Sequence, residues 1–504
     1  MAENVLTPAQ QVAFDLLLPV VKGESKYRTA VLEGSAGTGK SFLVAQLLSV
    51  VAGGMAVAVA APTNKAVRVV KSMLEEALVA VASAGEDEGL RSRVREKPAI
   101  GCTLKSIHSF LGLQMKELDN GKQEAHKARD SNISDYNLLI VDEASMLSDD
   151  LFGRIMQERD GCRVLFVGDP AQLPPVNGHG ALSPVFHSGR VGLQVKLSEV
   201  VRQAADNPII KLSMQIRALI EADVKADPLT LLQVLPSVES GPKAALLAGT
   251  PDDLVTFFLD EVHVNPDSDT RIIAYTNSRV LDYNRRIHRA LYGDTKDCVF
   301  VPGEPVIMQT QGNAPQYLGR DYWADGQWHE GGDRPCDESN SFNPVWESQR
   351  LITSEELTVL KCEVAAHPFY PEIHANRVLL QNALGEIFEG YVPIFQSQLD
   401  QRVDALFREW RGLKLRAENY AGDDGAVLKE KAADASGKGW ALRRAFLNLR
   451  HAYALTCHKS QGSSFDCALV DFSDLSKMPD AFEFNRALYV AVTRSREFLA
   501  LVVT

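Results

Sequence analysis

The stretch Gly34-Ser35-Ala36-Gly37-Thr38-Gly39-Lys40-Ser41 fits the phosphate-binding pattern G-x-x-x-x-G-K-[ST]. It lies between an apolar run that predicts a buried strand, Thr29 to Leu32, and a run that predicts a helix, Phe42 to Val51. Glycines let backbone N–H groups turn toward phosphate oxygens, and the helix dipole adds positive charge there. We expect Lys40 to reach the β- and γ-phosphates and Ser41 to hold Mg²⁺. The residues expected to bind nucleotide are Gly34, Gly37, Thr38, Gly39, Lys40 and Ser41.

Composition sets wide bounds on this chain of 504 residues, which is long enough for several domains. Its 45% hydrophobic and 23% charged residues are ordinary for a globular protein. The net charge of −12 neither indicates nor excludes nucleic-acid binding, because local charge decides. Seven cysteines with no C-x-x-C pair indicate neither a cysteine zinc site nor a disulfide framework. We expect a cytoplasmic protein, or one of the host cytoplasm if it is phage-encoded, since the N-terminus lacks a signal peptide pattern.

Four further polar residues are expected near the phosphate loop. The apolar run Leu138 to Val141 ends in Asp142 and Glu143, so a buried strand is expected to deliver two carboxylates. Asp142 would hold Mg²⁺ through water, and Glu143 would orient and activate the attacking water. Gln172 lies in a proline-fixed loop and could sense a γ-phosphate, while Gln10 precedes the phosphate loop and could read adenine through its amide.

The rest of the chain predicts a second α/β region interrupted by other structure. Strands alternate with helices up to about residue 225, which predicts a doubly wound first domain. Residues 222 to 252 resemble a linker because they hold several prolines. The α/β pattern resumes at Arg271 and returns at Ala452, whereas residues 357 to 394 predict a β-rich module. Charged helices are expected at Gln396 to Arg416 and Val427 to Arg450; their basic clusters favour a solvated face over nucleic-acid contact.

A hairpin is expected over Leu113 to Arg129, because Asn120-Gly121 favours a two-residue type I′ turn. A helix over Lys122 to Arg129 is the alternative.

An ordered set of stretches resembles the motifs of superfamily 1 helicases, in the 1B branch of Dda-type and RecD-type helicases. The resemblance covers roughly residues 5 to 300 and 450 to 504. The matching stretches are Leu6-Thr7 with Gln10, Gly34 to Ser41, Val141 to Ser145, Gly168 to Pro175, His458 to Gly462 and Tyr489 to Arg494.

The resemblance implies an α/β fold with two RecA-like P-loop domains that bind ATP and Mg²⁺. Residues 1–225 would form the first domain, with a pin hairpin inserted at 113–132. Residues 226–305 and 451–504 would form the second domain. An accessory domain at 306–450 would contain an irregular loop, an SH3-like β module and the charged helices.

The same resemblance implies roles for residues outside the phosphate loop. Arg202 and Arg494 would be arginine fingers, and Gln461 and Gly462 would join the nucleotide site. Single-stranded DNA, and forked or tailed duplexes, would be the partners of an expected monomer that moves 5′ to 3′. A single-strand-binding or replisome protein is a further expected partner, and no membrane is expected. The expected nucleic-acid contacts are Pro62, Thr63, Asn64, Ser106, His108, Asn120, Thr456, His458 and Ser460.

Alternative functions stay open at this point. A P-loop kinase or nucleotide switch would need only Lys40, Ser41 and Asp142. An RNA helicase, or a clamp that uses ATP without unwinding, would keep the same motifs. Glu143 argues against a pure clamp, because a clamp does not require an activated water.

Overall fold

The computed structural model describes residues 6–51, 54–62, 66–67, 70–71, 102–117, 123–175, 181–198, 207–228, 231, 243–295, 297–310, 312–313, 316–317, 322–324, 327–329, 346–347, 350–351, 353–382, 385–419 and 423–503. The chain forms two compact units. The first comprises Met1–Tyr283 and Ala454–Thr504, and the second comprises Asn284–Tyr453. None of the described helices is long and apolar enough to cross a membrane.

The first 225 residues build a six-stranded parallel sheet with helices beside it. Its helices are α1 (Pro8–Lys22), α2 (Lys40–Val51), α3 (Ile107–Phe110), α4 (Asp149–Glu158) and α5 (Pro208–Glu221), with 3₁₀ turns at Ile133–Asp135, Ala144–Met146 and Pro184–Phe186. The strands are β1 (Thr29–Gly34), β2 (Val57–Ala61), β3 (Cys102–Ser106), β4 (Leu113–Glu117), β5 (Gln123–Lys127), β6 (Leu138–Val141), β7 (Arg163–Gly168) and β8 (Leu193–Leu197). The sheet order is β3-β2-β6-β7-β1-β8, and every pair is parallel.

Burial explains why these segments are strands. All residues of β2 and β6 are buried, as expected for strands of a parallel sheet covered on both faces. The helix α1 begins at a reciprocal capping box between Thr7 and Gln10, and it ends at Gly23, whose φ is 87°. The expected doubly wound first domain is therefore confirmed.

The strands β4 and β5 form a separate antiparallel hairpin. Glu117 pairs with Gln123, whereas an unbroken ladder closed by a two-residue turn at Asn120-Gly121 would pair Glu117 with Glu124. The described register therefore differs by one residue from that of an unbroken hairpin with a two-residue turn at these positions, and the predicted hairpin itself is present. The turn itself, including Asn120, lies outside the described residues. The alternative helix over 122–129 is excluded at Gln123–Lys127, which is strand.

The linker expected at 222–252 is also wrong in part. Residues 243–248 form β9 (Lys243–Ala248), which pairs in parallel with the last strand of the chain. Pro251 does not mark a loop; it is the first residue of α6 (Pro251–Val264), where a missing N–H costs nothing. The next elements are β10 (Thr270–Ala274) and α7 (Asn277–Tyr292).

The second unit contains a seven-stranded antiparallel sheet and two long helices. Its longer strands are β11 (Pro305–Met308), β18 (Glu356–Val364), β19 (Ala375–Asn382), β20 (Ile387–Pro393) and β21 (Leu449–His451). The short strands are β12 (Gly312–Asn313), β13 (Gln316–Tyr317), β14 (Tyr322–Ala324), β15 (Gln327–His329), β16 (Trp346–Glu347) and β17 (Arg350–Leu351). The sheet order is β16-β13-β20-β19-β18-β11-β21. The helices are α8 (Gln396–Asn419) and α9 (Asp423–Ala445).

The helix expected to run to Arg450 is too long. It ends at Ala445, because Phe446 and Leu447 are buried and the Leu447 N–H donates to the Tyr391 carbonyl at 2.7 Å. Arg450 then lies in β21, which pairs with β11.

The α/β pattern returns in the last fifty residues. They contain β22 (Ala454–Thr456), α10 (Cys457–Ser460), β23 (Phe465–Asp471), α11 (Phe472–Leu475), α12 (Ala481–Val492) and β24 (Ser495–Val503). These strands join β9 and β10 in a five-stranded parallel sheet with the order β22-β10-β23-β24-β9. The expectation of two RecA-like parallel sheets flanked by helices is confirmed.

Candidate functional site

The phosphate-binding loop leaves the carboxyl end of β1 and leads directly into α2. Gly37 and Gly39 have φ of 80° and 77°, a conformation that side chains disfavour. A Cβ on Gly34 would lie 2.6 Å from Thr38 Oγ1, which is closer than packing allows. The three glycines are therefore required by the backbone path of the loop.

Lys40 lies at the first position of α2 and folds back onto the loop. Its Nζ donates to the carbonyls of Gly34 at 2.7 Å and Ser35 at 2.9 Å. Burial lowers the pKa of Lys40, and the nearby carboxylates of Asp169, Asp142 and Glu143 oppose that shift. A partly buried ammonium whose hydrogen bonds to the described residues go to carbonyls is suited to exchange them for phosphate oxygens.

Ser41 and Asp142 line one cavity beneath the phosphate loop. A hydroxyl and a carboxylate are the oxygen donors that Mg²⁺ prefers, together with water and phosphate. The residues present therefore fit the ion that the sequence implies, with Ser41 and Asp142 as its holders.

Asp142 and Glu143 follow β6, and β7 alone separates β6 from β1 in the sheet. Glu143 has a φ of 50°, which is uncommon for a residue with a side chain, and its N–H donates to Asp142 Oδ1 at 2.8 Å. Burial raises the pKa of Asp142. Burial and the adjacent Asp142 carboxylate raise the pKa of Glu143 to about 7. A carboxyl group with that pKa is suited to general-base chemistry near neutral pH.

Gln10 is buried and uses both ends of its amide inside the protein. Its Oε1 accepts from the Thr7 N–H at 2.9 Å, and its Nε2 donates to the Thr38 carbonyl at 3.0 Å. The side chain thus connects the start of α1 to the phosphate loop. The expected contact with adenine stays a prediction.

Asp169, in the loop after β7, is the centre of a network that the sequence did not reveal. Its side chain is fully buried, accepts from Tyr489 Oη at 2.6 Å, and pairs with Arg217 Nη1 at 2.7 Å. The Tyr489 hydroxyl in turn accepts from the Ala36 N–H of the phosphate loop at 3.3 Å. A residue of α12 therefore bridges the phosphate loop and the loop after β7.

Gln172 and Gln461 meet across the same region. Gln461 Nε2 donates to Gln172 Oε1 at 3.2 Å, so the loop after β7 contacts the segment after α10. Arg486 adds to this contact by donating to the carbonyls of Pro170 and Gln172, the latter at 3.2 Å. Gly462 follows with a φ of 79°.

Of the two expected arginine fingers, the structure describes Arg494 but not Arg202. Arg494 is buried; it donates to the Val490 carbonyl at 3.0 Å and the Ser463 carbonyl at 2.9 Å. Burial lowers the pKa of Arg494, while the charge of Glu143 opposes that shift, so the guanidinium lies within electrostatic reach of the proposed base. Arg202 lies outside the described residues.

The expected nucleic-acid contacts cluster at two strand ends. Ser106 caps α3 by accepting from the Ser109 N–H at 3.3 Å, and Thr456 caps α10 by accepting from the Lys459 N–H at 3.3 Å. His108 hydrogen-bonds the backbone of Pro62, and burial lowers the pKa of His108. His458 is exposed.

One of these expectations needs correction. The Ser460 side chain is fully buried, and its hydroxyl donates to the Cys457 carbonyl at 2.8 Å, so this structure does not present it to a nucleic acid. Thr63, Asn64 and Asn120 lie outside the described residues.

Among the residues that the sequence reasoning did not single out, Tyr489 and Asp169 lie inside motifs already quoted. Their position within these motifs was the sequence feature that could have identified them as functional residues. Arg217 and Arg486 carried no such signal, because an arginine on an amphipathic helix is usually a surface residue.

Comparison with known proteins agrees with the geometry. Residues 6–225 match the AAA domain family, and residues 451–502 match the UvrD-like helicase C-terminal domain. The chain is similar to the ATP-dependent DNA helicase Dda of Enterobacteria phage T4, with 25% identity over 98% of this chain and 99% of that protein. It is also similar to the ATP-dependent RecD2 DNA helicase of Deinococcus radiodurans, with 32% identity over 37% of this chain. That match spans 21% of the Deinococcus protein.

A solved Pif1 helicase from Candida albicans aligns with 99% of the chain and 94% of its own length, at 16% identity and a TM-score of 0.45. The motif order, the two parallel sheets and the full-length match to Dda agree with one another. These matches support a Dda- and RecD-like DNA helicase of the superfamily 1B type that hydrolyses ATP.

Proposed function

We propose that this chain hydrolyses ATP at the phosphate loop and uses each cycle to move 5′ to 3′ along single-stranded DNA, separating duplexes ahead of it. One observation carries the proposal: Tyr489 of the second sheet's helix α12 bonds both the phosphate loop and Asp169. These bonds give a change in the phosphate loop a direct route to groups outside it. The direction of movement is supported by the resemblance to the Dda and RecD type.

The chemistry falls to a small set of side chains. ATP with Mg²⁺ would supply the γ-phosphoryl group, whose transition state spreads negative charge over three equatorial oxygens. Lys40 is placed to exchange its two carbonyl partners for phosphate oxygens. Glu143 takes a proton from the attacking water, and Gln172 orients groups near the γ-phosphate. Arg494 supplies positive charge after releasing its hold on the Val490 and Ser463 carbonyls.

Coupling follows a path of direct contacts within the first unit. The phosphate loop contacts Tyr489, which contacts Asp169 in the loop after β7. Gln172 of that second loop accepts a hydrogen bond from Gln461. Gln461 directly follows α10, whose cap Thr456 and exposed His458 are the proposed strand contacts. If ATP binding and hydrolysis make and break these contacts in turn, the grip on the strand alternates with the state of the nucleotide.

The β4–β5 hairpin is the proposed wedge between the strands. It is a two-stranded projection that pairs with no other strand of the described residues. Its root is anchored by Gly112, whose carbonyl accepts from the N–H groups of Ala128 at 3.0 Å and Arg129 at 3.2 Å. The proposed setting is DNA replication, recombination or repair, by a monomer that works with a single-strand-binding or replisome protein.

The test uses two partial duplexes, one with a 5′ single-stranded tail and one with a 3′ tail. We expect ATP-dependent strand separation on the 5′-tailed substrate only. Replacing residues 113–129 with a short Gly-Ser linker should keep DNA-stimulated ATPase activity and strongly reduce separation. Equal activity on both tails would contradict the proposed direction. Stimulation by RNA but not DNA would contradict the substrate, and a loss of ATPase activity in the linker variant would place the hairpin in the motor itself.

A further inference from the structure

Two histidines and a glutamate, none of them part of the proposed nucleotide site, meet inside the second unit. His288 comes from α7, Glu304 from the loop before β11, and His451 from β21. One potential ligand atom from each lies within 4.8 Å of the other two. Glu304 is fully buried, and the two imidazole rings stack with centroids 4.4 Å apart. These residues play no part in the proposed ATP chemistry.

Neighbouring groups hold Glu304 and His288 in fixed orientations. Glu304 Oε1 lies 2.5 Å from His288 Nδ1 and accepts from the Tyr453 hydroxyl at 2.5 Å. Its other oxygen accepts from the Val301 N–H at 2.6 Å. The second ring nitrogen of His288 lies 3.3 Å from Thr295 Oγ1. Outer contacts of this kind orient the ligands in protein metal sites.

His451 completes the cluster but has no hydrogen bond at its inward nitrogen. Its Nδ1 is buried and has no hydrogen-bond partner among the described residues. It lies 3.7 Å from Glu304 Oε1, which is too far for a hydrogen bond. A buried nitrogen without a partner usually costs free energy, so such an atom calls for an explanation.

We propose that His288, Glu304 and His451 bind one divalent transition-metal ion of the zinc class. Two imidazole nitrogens and a carboxylate are a known zinc donor set, with water or another group in the fourth position. Ligands at zinc–nitrogen distances of about 2.0–2.1 Å lie roughly 3.3 Å apart around a tetrahedron. Glu304 Oε1 lies 2.5 Å from His288 Nδ1 and 3.7 Å from His451 Nδ1, which bracket that value, and the ligand atoms of the two histidines lie within 4.8 Å of each other.

Metal binding requires a small rearrangement that the surroundings accommodate. The ion takes the place of the proton shared by His288 Nδ1 and Glu304 Oε1. The ring proton then resides on His288 Nε2, where Thr295 Oγ1 accepts it. The unpartnered His451 Nδ1 gains a ligand bond. The ion would tie α7, the loop before β11 and β21 together, so it acts as a structural cross-link within the second unit.

The experiment uses the untagged full-length chain, freed of metal by a chelator and dialysed against Zn²⁺ alone. We expect about one Zn²⁺ retained per chain by elemental analysis, and a higher melting temperature because the ion binds the folded state. Glu304→Gln and His451→Gln should each lose the bound ion. His374→Gln is the matched control, because His374 is an exposed histidine of the same unit.

Cobalt provides a readout that does not depend on the variants folding. In the wild type, Co²⁺ should shift the NMR signals of two histidine rings. A wild type that retains no Zn²⁺ and shows no shifted histidine signals with Co²⁺ would overturn the proposal. Retention that persists in both variants would overturn it as well, and would leave the cluster as a hydrogen-bonded ion pair.

Discussion

The two parallel sheets of the first unit share one topology but differ at the strand ends where chemistry occurs. The spatial order β3-β2-β6-β7-β1 in the first sheet matches the spatial order β22-β10-β23-β24-β9 in the second, when the strands are paired by their order along the chain. The first sheet has one more strand, β8, at its edge. The strand that opens each sheet is followed by a helix, α2 in the first and α6 in the second. The architecture is therefore repeated although no sequence repeat is visible.

The helix that follows the first strand is open to an anion in one sheet and closed in the other. In the first sheet, Gly39 precedes α2 and has no side chain with which to cap it. In the second sheet, Thr250 and Asp253 cap α6 reciprocally: Thr250 Oγ1 accepts from the Asp253 N–H at 3.3 Å, and Asp253 accepts from the Thr250 N–H at 2.7 Å. A carboxylate of the protein thus occupies the helix end that phosphate would need.

The acids at the corresponding fourth strand differ in the same way. Asp471 at the end of β23 accepts from the Tyr283 hydroxyl at 2.6 Å and lies 3.4 Å from Arg279. Asp142 and Glu143 at the end of β6 instead face Lys40, and burial raises the pKa of both acids. We infer that this scaffold becomes catalytic only in the sheet whose polar groups are left for a ligand.

The largest effect is expected from the open helix end. Lys40→Ala should reduce ATP hydrolysis to background, because no other described ammonium lies in the phosphate loop. The fold should survive, since Lys40 bonds only loop carbonyls. Turnover and circular dichroism measured on the same preparation check both parts, and retained turnover would remove the basis for assigning the nucleotide to the first sheet.

We expect the second sheet to contribute the positive charge of Arg494 to the transition state rather than affinity for ATP. Arg494→Ala should leave ATP affinity largely intact and slow hydrolysis by about 10³–10⁵, the range for an arginine finger. Single-turnover rates at saturating ATP measure the effect. Weaker ATP binding with normal turnover at saturation would show that Arg494 binds the ground state instead.

The acid pair should set the pH dependence of the first sheet. Glu143 must lose its proton to act as a base, so turnover should rise as pH increases through about 7 in the DNA-bound enzyme. Glu143→Gln should lower turnover by roughly 10²–10⁴ and remove that rise. A pH–rate profile of the two proteins tests this, and an unchanged profile in the variant would assign the titration to another group.

The bridge between the sheets should matter for coupling more than for chemistry. Tyr489→Phe keeps the ring but removes the bonds to Ala36 and Asp169. If the bridge transmits binding, single-stranded DNA should change the affinity for an ATP analogue less in the variant than in the wild type. Coupling between sites is typically about 1–3 kcal/mol, and a variant that retains all of it would exclude Tyr489 from the path.

The smallest effect is expected at the closed helix end. Thr250→Ala removes the cap of α6 and should lower the free energy of unfolding by about 0.5–2 kcal/mol. ATP turnover should not change, because this helix end binds no ligand. Denaturant unfolding and an ATPase assay together make this the matched counterpart of Lys40→Ala.

Short sequence patterns predicted those parts of the site whose residues lie within a few positions of one another in the chain. The phosphate loop and the Asp142–Glu143 strand end each combine strand, turn and polar residues within a few positions. The bridge from Tyr489 to Asp169 joins residues 320 positions apart, and only the packing of α12 brings them together. Prolines and glycines on both sides of β9 hid it, although the strand itself, Lys243–Ala248, contains neither residue.

Side-chain exposure was the other feature that sequence alone could not supply. Ser460 matched a nucleic-acid motif, yet the short helix α10 turns its hydroxyl inward to Cys457. Ser106 and Thr456 serve first as helix caps at equivalent strands of the two sheets. Their shared [ST]-x-H spacing, with His108 and His458 two residues later, is visible in the sequence once the topology relates β3 to β22.

The most direct test of the account is the rate of ATP turnover by the wild-type chain across a titration of single-stranded DNA. We predict a saturable increase that Lys40→Ala abolishes and Thr250→Ala leaves intact, since the proposed nucleotide site lies in the first sheet and its state is proposed to be coupled to the strand. Turnover that is independent of DNA, or that survives in Lys40→Ala, would contradict it.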